Sequence, residues 1–381
     1  MNYVALRMLT GDRAKYLSLI FAIAFSTFLL ENQSSIFAGI MKRTTSQILD
    51  VTDADVWVMD KKTLYVEEVK ALTENDLYRV RGVPGVLWAV RLFKGQPRAK
   101  AADGAFRVVI MMGLDDASLV GAPGHDKMIL GAVEELRHPD SVIIDRAGYK
   151  FLFPGQPLEL NRTLELNDHL VRIVGIAEAS APFATFPVMF SRYSQAIKFV
   201  GRERDQLSFV LAKPQPGISV QELCDRIEKY TDLRAVSGRD FAWQTVFYYV
   251  RNTGIPVNFG ITIAIALIVG AVVAGQTFYI FTIENLKQFG ALKAIGVTNT
   301  SIVGMILLQA LTVAAIGYSL GSGIAGVFFS VTLHNDPTRG LVLLWQNMAG
   351  VAVAIFMVVF LASLLSVRRV LTLEPAVVFR G

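Results

Sequence analysis

The chain has 381 residues, of which 53% are hydrophobic and only 18% charged. An average water-soluble domain does not show that balance, so lipid must cover part of the surface. Residues 42–250 hold 27 basic and 27 acidic side chains, so the formal charge of +5 lies wholly in the flanks, 10 basic against 5 acidic; this excludes a basic nucleic-acid surface and fits spans whose basic ends stay cytoplasmic.

The first apolar run, between Lys15 and Glu31, holds 15 uncharged residues, roughly 22 Å of helix, and must continue past Glu31 to cross. Glu31, Asn32 and Gln33 then sit near the outer interface, where an ionisable group costs less than at the bilayer centre. The alternative is a cleaved signal peptide with Arg7, Arg13 and Lys15 as its basic region, against which no small-x-small site follows at Ser34–Gly39.

The following stretch, 42–250, is long enough to bury its own core and alternates strands with helices. Ala54–Met59, Val86–Leu92, Phe106–Met112, Ser141–Asp145, Pro157–Leu160, Val171–Ala177, Leu207–Ala212 and Leu233–Val236 read as β elements. Thr73 with Asp76 opens a helix to about Gly82, and Ser219 with Glu222 forms a capping box for a helix to Tyr230. This is an α+β domain, and a piece at about 113–205 inserted into the outer one gives two subdomains. The paired acids Asp115-Asp116 and Glu134-Glu135 read as solvated turns and helix faces. The apolar loop Ala179–Pro187, with Phe183 and Phe186, contacts a partner or lipid or covers the core, according to its exposure.

Between Arg251 and Glu284 lie 32 uncharged residues, and Val257–Ile283 reaches roughly 40 Å as a helix, a second span. Residues 301–331 make a third and 341–367 a fourth, stopped by Arg368 and Arg369. The domains are therefore 1–41, a cytoplasmic segment with the first span; 42–250, extracytoplasmic; 251–283, the second span; 284–300, a cytoplasmic connection; 301–331; an outer loop at 332–340; 341–367; and a cytoplasmic tail at 368–381. Basic side chains crowd at residues 1–15, at Lys287 and Lys293, and at Arg368, Arg369 and Arg380, whereas the loop near 334–340 carries only Arg339, so the positive-inside rule puts both termini inside. Ala266, Gly270 and Ala274, and Gly317 and Gly321, recur every four residues, as close helix packing against another helix or another copy requires. Gln276 and Gln309 are the polar residues deepest in these spans and read as interhelical glue.

Several chemistries find no support. A lone Cys224 cannot form an internal disulfide, four scattered histidines offer no metal site, and no catalytic or cofactor-binding constellation emerges. No G-x-x-x-x-G-K-[ST] is present, so the chain is not itself an ATPase. Gly321-Ser-Gly-Ile-Ala-Gly326 matches G-x-G-x-x-G but lies inside a span rather than after a strand, so it binds no dinucleotide.

The connection at 282–298 sets Leu286, Phe289, Leu292 and Ile295 three apart, a short amphipathic helix along the inner membrane face with Lys287 and Lys293 left to water or phospholipid. Gln288-Phe-Gly-Ala-Leu-Lys-Ala-Ile-Gly-Val297 resembles the R-E-I-G-I-L-K-A-I-G-A-like run of FtsX/MacB-type ABC transporter permeases, and Leu373-Glu-Pro-Ala-Val-Val-Phe-Arg380 is similar to the family's ending. One span, a large outer domain and three spans also follow the family's order. The chain departs from the pattern at Gln288, where the family carries an acid, so an ionic contact there is in doubt.

The resemblance, to DevC-type members without a fused ATPase in particular, implies an outer domain of porter and sabre lobes. It also implies an inner-membrane homodimer docked on a separate ABC ATPase that binds ATP and Mg, with an adaptor of the membrane-fusion kind and an outer-membrane channel as further partners. The docking residues it implies are Lys287, Gln288, Phe289, Gly290, Ala291, Lys293, Ala294 and Gly296. Export of a lipid, lipoprotein, peptide or drug is the function expected; the alternative is an FtsX-like regulator of a cell-wall hydrolase that moves no substrate. A membrane-anchored sensor would need a cytoplasmic output domain, and about a dozen residues after the last span supply none.

Overall fold

The computed structural model describes residues 2–201, 206–333, 341 and 343–371. The chain divides into two compact units, one formed by residues 1–39 with 254–381 and the other by residues 40–253.

In chain order, α1 (Asn2–Gly11) and α2 (Arg13–Arg43) are followed by a single turn, α3 (Ser46–Leu49), and by β1 (Val56–Met59), α4 (Glu74–Arg81), β2 (Val86–Gly95), β3 (Arg98–Lys100), β4 (Phe106–Val108) and β5 (Ile110–Leu114). Then come β6 (Met128–Gly131), β7 (Ser141–Asp145), α5 (Arg146–Leu152), β8 (Thr163–Leu166), β9 (His169–Ala177), β10 (Val188–Arg192), α6 (Tyr193–Val200), β11 (Phe209–Pro214), α7 (Val220–Thr231), β12 (Arg234–Ser237) and α8 (Gly238–Asn252). The chain closes with α9 (Ile255–Glu284), α10 (Leu286–Ala294), α11 (Asn299–Leu333) and α12 (Trp345–Leu371).

The second unit is α+β. One sheet runs β12-β1-β11-β2-β5-β10-β7-β9-β8-β3-β4, with β6 added on β9. It is mixed: β5 with β10 and β7 with β9 are parallel, and the other pairs are antiparallel. Alternation along β1 sends Val56 and Val58 to one core and Trp57 and Met59 to the other, as a period of two requires of a sheet covered on both faces. Helices α4, α5, α6 and α7 fill the first face through Leu77, Tyr149, Phe199 and Leu223; α3 and α8 fill the second through Ile48 and Phe241.

Local signals explain several boundaries. Thr73 and Asp76 close a reciprocal capping box at the start of α4. At α7 only half of that box forms: Ser219 accepts from the Glu222 backbone, while the Glu222 carboxylate turns to Arg226 at 2.5 Å. Two expected strands do not form as read. Phe106–Met112 breaks at Val109, whose N–H donates to Pro97 O, and the halves join different neighbours as β4 and β5. Pro157–Leu160 is not a strand: the Tyr149 hydroxyl donates to Pro157 O and accepts from Glu159 N–H, satisfying backbone groups a ladder would have used. The loop 179–187 covers the second core, with Ala181, Pro182 and Pro187 buried and Phe186 packed onto the cluster.

In the other unit, four helices among the described residues are long and apolar enough to cross a membrane: Arg13–Arg43, Ile255–Glu284, Asn299–Thr332 and Trp345–Leu364. Both small-residue rows press on α2. A side chain at Gly270 would stand 2.7 Å from Ser26 Oγ, one at Gly317 2.7 Å from Ile23 Cβ, and one at Gly321 2.5 Å from Ala24 O. Ala266 and Ala274 are buried on the same face of α9.

Polar residues of the spans differ in their surroundings. Glu31 is wholly buried among the helices and accepts a hydrogen bond from Ser322 Oγ at 2.6 Å, because the close approach at Gly321 brings the next residue of α11 against it. Gln276 is not glue but exposed, since it lies two residues, about 200° around the helix, from the buried Ala274 and Phe278. Gln309 does bridge helices, donating to Ala5 O at 2.7 Å.

Candidate coupling site

Helix α9 ends on Glu284, a carboxylate at the negative end of the helix dipole and so unfavourably placed. Lys15, near the start of α2, offsets it: its ammonium group pairs with Glu284 and also with Asp12 at 2.9 Å. The groups are part-exposed and screened by solvent, so the pair matters mainly for position. Asn285 then ends α9 and opens α10, its Nδ2 donating to Phe281 O at 2.7 Å.

Helix α10 is pinned on one face. Phe289 is 0% exposed, set among Ile302 and Ile306 of α11 and Val367 of α12, with Leu286 and Leu292 beside it. Gly290 is buried next to it. The helix stops in a Schellman motif: Gly296 takes φ +95°, its N–H donates to Lys293 O, and the Val297 N–H donates to Leu292 O, both at 3.0 Å. Thr298 then caps α11, its hydroxyl 3.0 Å from that of Ser301.

The other face is bare. Lys287, Gln288, Ala291 and Ala294 are exposed and Lys293 partly so. Ile295 does not join the apolar face, being 78% exposed, because helical geometry ends at Ala294 and the left-handed Gly296 swings the chain away. The result is a short helix, rigidly attached by one aromatic plug, that presents small and polar side chains to whatever lies beyond it.

A wall of this site was missed in the sequence. Helix α1 packs on α11 through Ala5 and Leu9, and with α9 and α10 it borders a cleft of about 580 Å³ lined by Tyr3, Arg7, Lys15, Glu284, Asn285 and Gln288. The Arg7 guanidinium lies over the Tyr3 ring at 5.3 Å and donates to its hydroxyl at 2.9 Å. The i, i+4 pair Ala5 and Leu9 was the available signal. The paired acids are structural. Asp115 is buried and accepts from the Ser118 backbone and hydroxyl, Asp116 accepts from Ser194, and Glu135 meets His138 on the surface. The tail motif at 373–380 and the basic residues Arg339 and Arg380 lie outside the described residues.

Two family models match the chain: a MacB-like periplasmic core domain over residues 17–230 and an FtsX-like permease C-terminal region over residues 260–375. An uncharacterized ABC transporter permease of Mycobacterium tuberculosis is 26% identical over 314 residues, covering 80% of this chain and 78% of the relative. One from Mycobacterium bovis is 26% identical over 225 residues, 58% of each chain. Among solved structures, the periplasmic region of MacB from Actinobacillus actinomycetemcomitans is similar with a TM-score of 0.38 and 12% identity, over 54% of this chain and 96% of that one. The extracellular domain of the noncanonic ABC-type transporter YknZ from Gram-positive bacteria gives 0.35 and 13%, over 47% and 92%.

Proposed function

Since the chain belongs to the MacB/FtsX-type family of ABC transporter permeases, we propose that α10 is the surface on which a separate ATPase docks, and that ATP-driven movement of α10 reaches the outer domain through α9 and α8. The observation that carries this reading is the split of α10 into a face fixed by Phe289 and a bare face of Lys287, Gln288, Ala291 and Ala294. A helix plugged on one side cannot absorb a push by rolling, so force on the bare side moves the spans it joins. Energy released on one side of a membrane acts on the other only through an element with two arrangements that are contacted differently.

The outer domain is periplasmic or extracellular, and the termini and α10 are cytoplasmic. The exported substrate is a lipid, lipoprotein, peptide or drug taken from the outer leaflet or periplasm. Polar solutes are disfavoured because the apolar stretches 16–30, 252–283, 301–330 and 341–367 carry no acidic or basic residue, and Glu31, which borders the first of them, is already engaged with Ser322. The working assembly pairs two copies of this chain, and an adaptor extends it outward.

Reconstitution with the partner ATPase tests docking. Ala291→Trp and Ala294→Trp fill the bare face without touching the Phe289 plug. Loss of stimulated ATP turnover with unchanged melting is expected; turnover equal to wild type in both variants would refute docking on this face.

A further inference from the structure

Two loops of the outer domain converge on the last turns of α8. The first, residues 60–70, leaves β1 and is rooted in the sheet: Lys94 of β2, buried, donates to Glu67 Oε2 at 2.7 Å and to Val66 O at 3.2 Å. Gln244 of α8 donates to Leu64 O at 2.8 Å and to Thr63 O at 3.3 Å. The second loop, 179–187, joins β9 to β10 and is held by Ser180, whose N–H and hydroxyl both donate to Asp50 at 2.8 Å.

Each loop brings one ring to Tyr249. Tyr65 of the first lies edge-on to it at 5.5 Å and stacks on the neighbouring Tyr248 at 4.0 Å. Phe183 of the second lies 5.0 Å from the Tyr249 ring, tilted by 43°. Tyr249 is itself buried, eight residues along the face that Phe241 begins and Thr245 continues. The two ends of α8 are therefore held differently. Phe241 sits in the aromatic core with Trp57 at 5.6 Å and Phe209 at 5.7 Å, whereas Tyr249 belongs to neither sheet core and meets the loop rings Tyr65 and Phe183 besides its neighbour Tyr248.

We infer that Tyr249 is a positioning residue, gripped between Tyr65 and Phe183, that ties the end of α8 preceding α9 to the β1–β2 side and the β9–β10 side of the sheet together. Its purpose rests on the coupling reading above: without the grip, a displacement arriving from α9 bends the last turns of α8 and is lost there, and with it the displacement reaches the sheet from two sides. The grip itself does not depend on that reading.

Hydrogen exchange on the full chain in lipid nanodiscs, resolved by peptide, tests it without an ATPase. In Tyr249→Ala, exchange at residues 245–252 should rise roughly ten-fold or more, with β7 and β9 unchanged. Tyr249→Phe keeps both ring contacts and should behave as wild type, which a role for the hydroxyl would not allow. The double variant Tyr65→Ala with Phe183→Ala should reproduce the Tyr249→Ala pattern from the loop side. Unchanged exchange at 245–252 would overturn the grip, and so would equal acceleration in β7 and β9, which reports general loosening. These outcomes are separate from docking, which the tryptophan variants of α10 decide.

Discussion

Lys94 Nζ lies 2.7 Å from Glu67 Oε2 while keeping only 5% of its residue surface in contact with solvent. Burial depresses the Lys94 pKa, and the Glu67 charge only partly opposes that. Between the depressed value and the ordinary lysine value of about 10.4 the unfolded chain binds more protons, so stability rises with pH across that window. The melting temperature of wild type relative to Lys94→Met should therefore climb as pH is raised through it, and a flat difference would contradict the sign. Glu67→Gln strands the buried ammonium and should cost roughly 3 kcal/mol, whereas Lys94→Met with Glu67→Leu should come close to neutral.

Helix contact at Gly321 is decided by backbone. A side chain there meets Ala24 O at 2.5 Å, an atom that cannot rotate away, so Gly321→Ala should destabilise the bundle by about 1–3 kcal/mol. Gly304, on the same helix, has nothing within 4 Å, and Gly304→Ala should be neutral or stabilise by up to about 1 kcal/mol. Thermal unfolding in detergent, read by intrinsic fluorescence, separates the two.

Removing the plug should free α10. Phe289→Ala empties a fully buried site and is expected to cost about 3–5 kcal/mol, with faster amide exchange across residues 286–294. Ile295→Lys, at an exposed position, should stay within about 0.5 kcal/mol of wild type.

How much of this was legible in the sequence varied with the kind of signal. The spans of α9, α11 and α12 were plain because charge is absent over lengths that match a membrane, that of α2 less so because Glu31 cuts its apolar run, and the helix starts at Thr73 and Ser219 were plain because capping is local. Strands β3, β6, β8 and β10 escaped: they are three to five residues long, and their pairing is set by distant partners, as Ala99 with Leu166 shows. At the coupling site, the positions of Phe289 and Gly296 followed from spacing and turn chemistry. The exposure of Ile295 and the wall built by α1 did not, because both depend on how α10 and α11 are packed.

Orientation can be read with single cysteines in the native background. Cys224 is buried and its thiol is pushed up to about 12, chiefly by burial, so it should resist maleimide in the folded chain. Lys293→Cys should then react only with reagent on the cytoplasmic side and Lys150→Cys only from outside; the reverse pattern would dismantle the coupling scheme.

The rows on α9 and α11 both close on α2, yet α2 ends at Arg43 and α9 begins at Ile255, leaving 211 residues, 44–254, to be translated in between. At about 5–20 residues per second the ribosome needs roughly 10–40 s for that stretch. Until α9 brings Gly270 to Ser26, and α11 later brings Ser322 to Glu31, both stay uncovered, and the outer domain has time to fold first. Biogenesis, rather than the finished bundle, is where the acid at position 31 is most vulnerable.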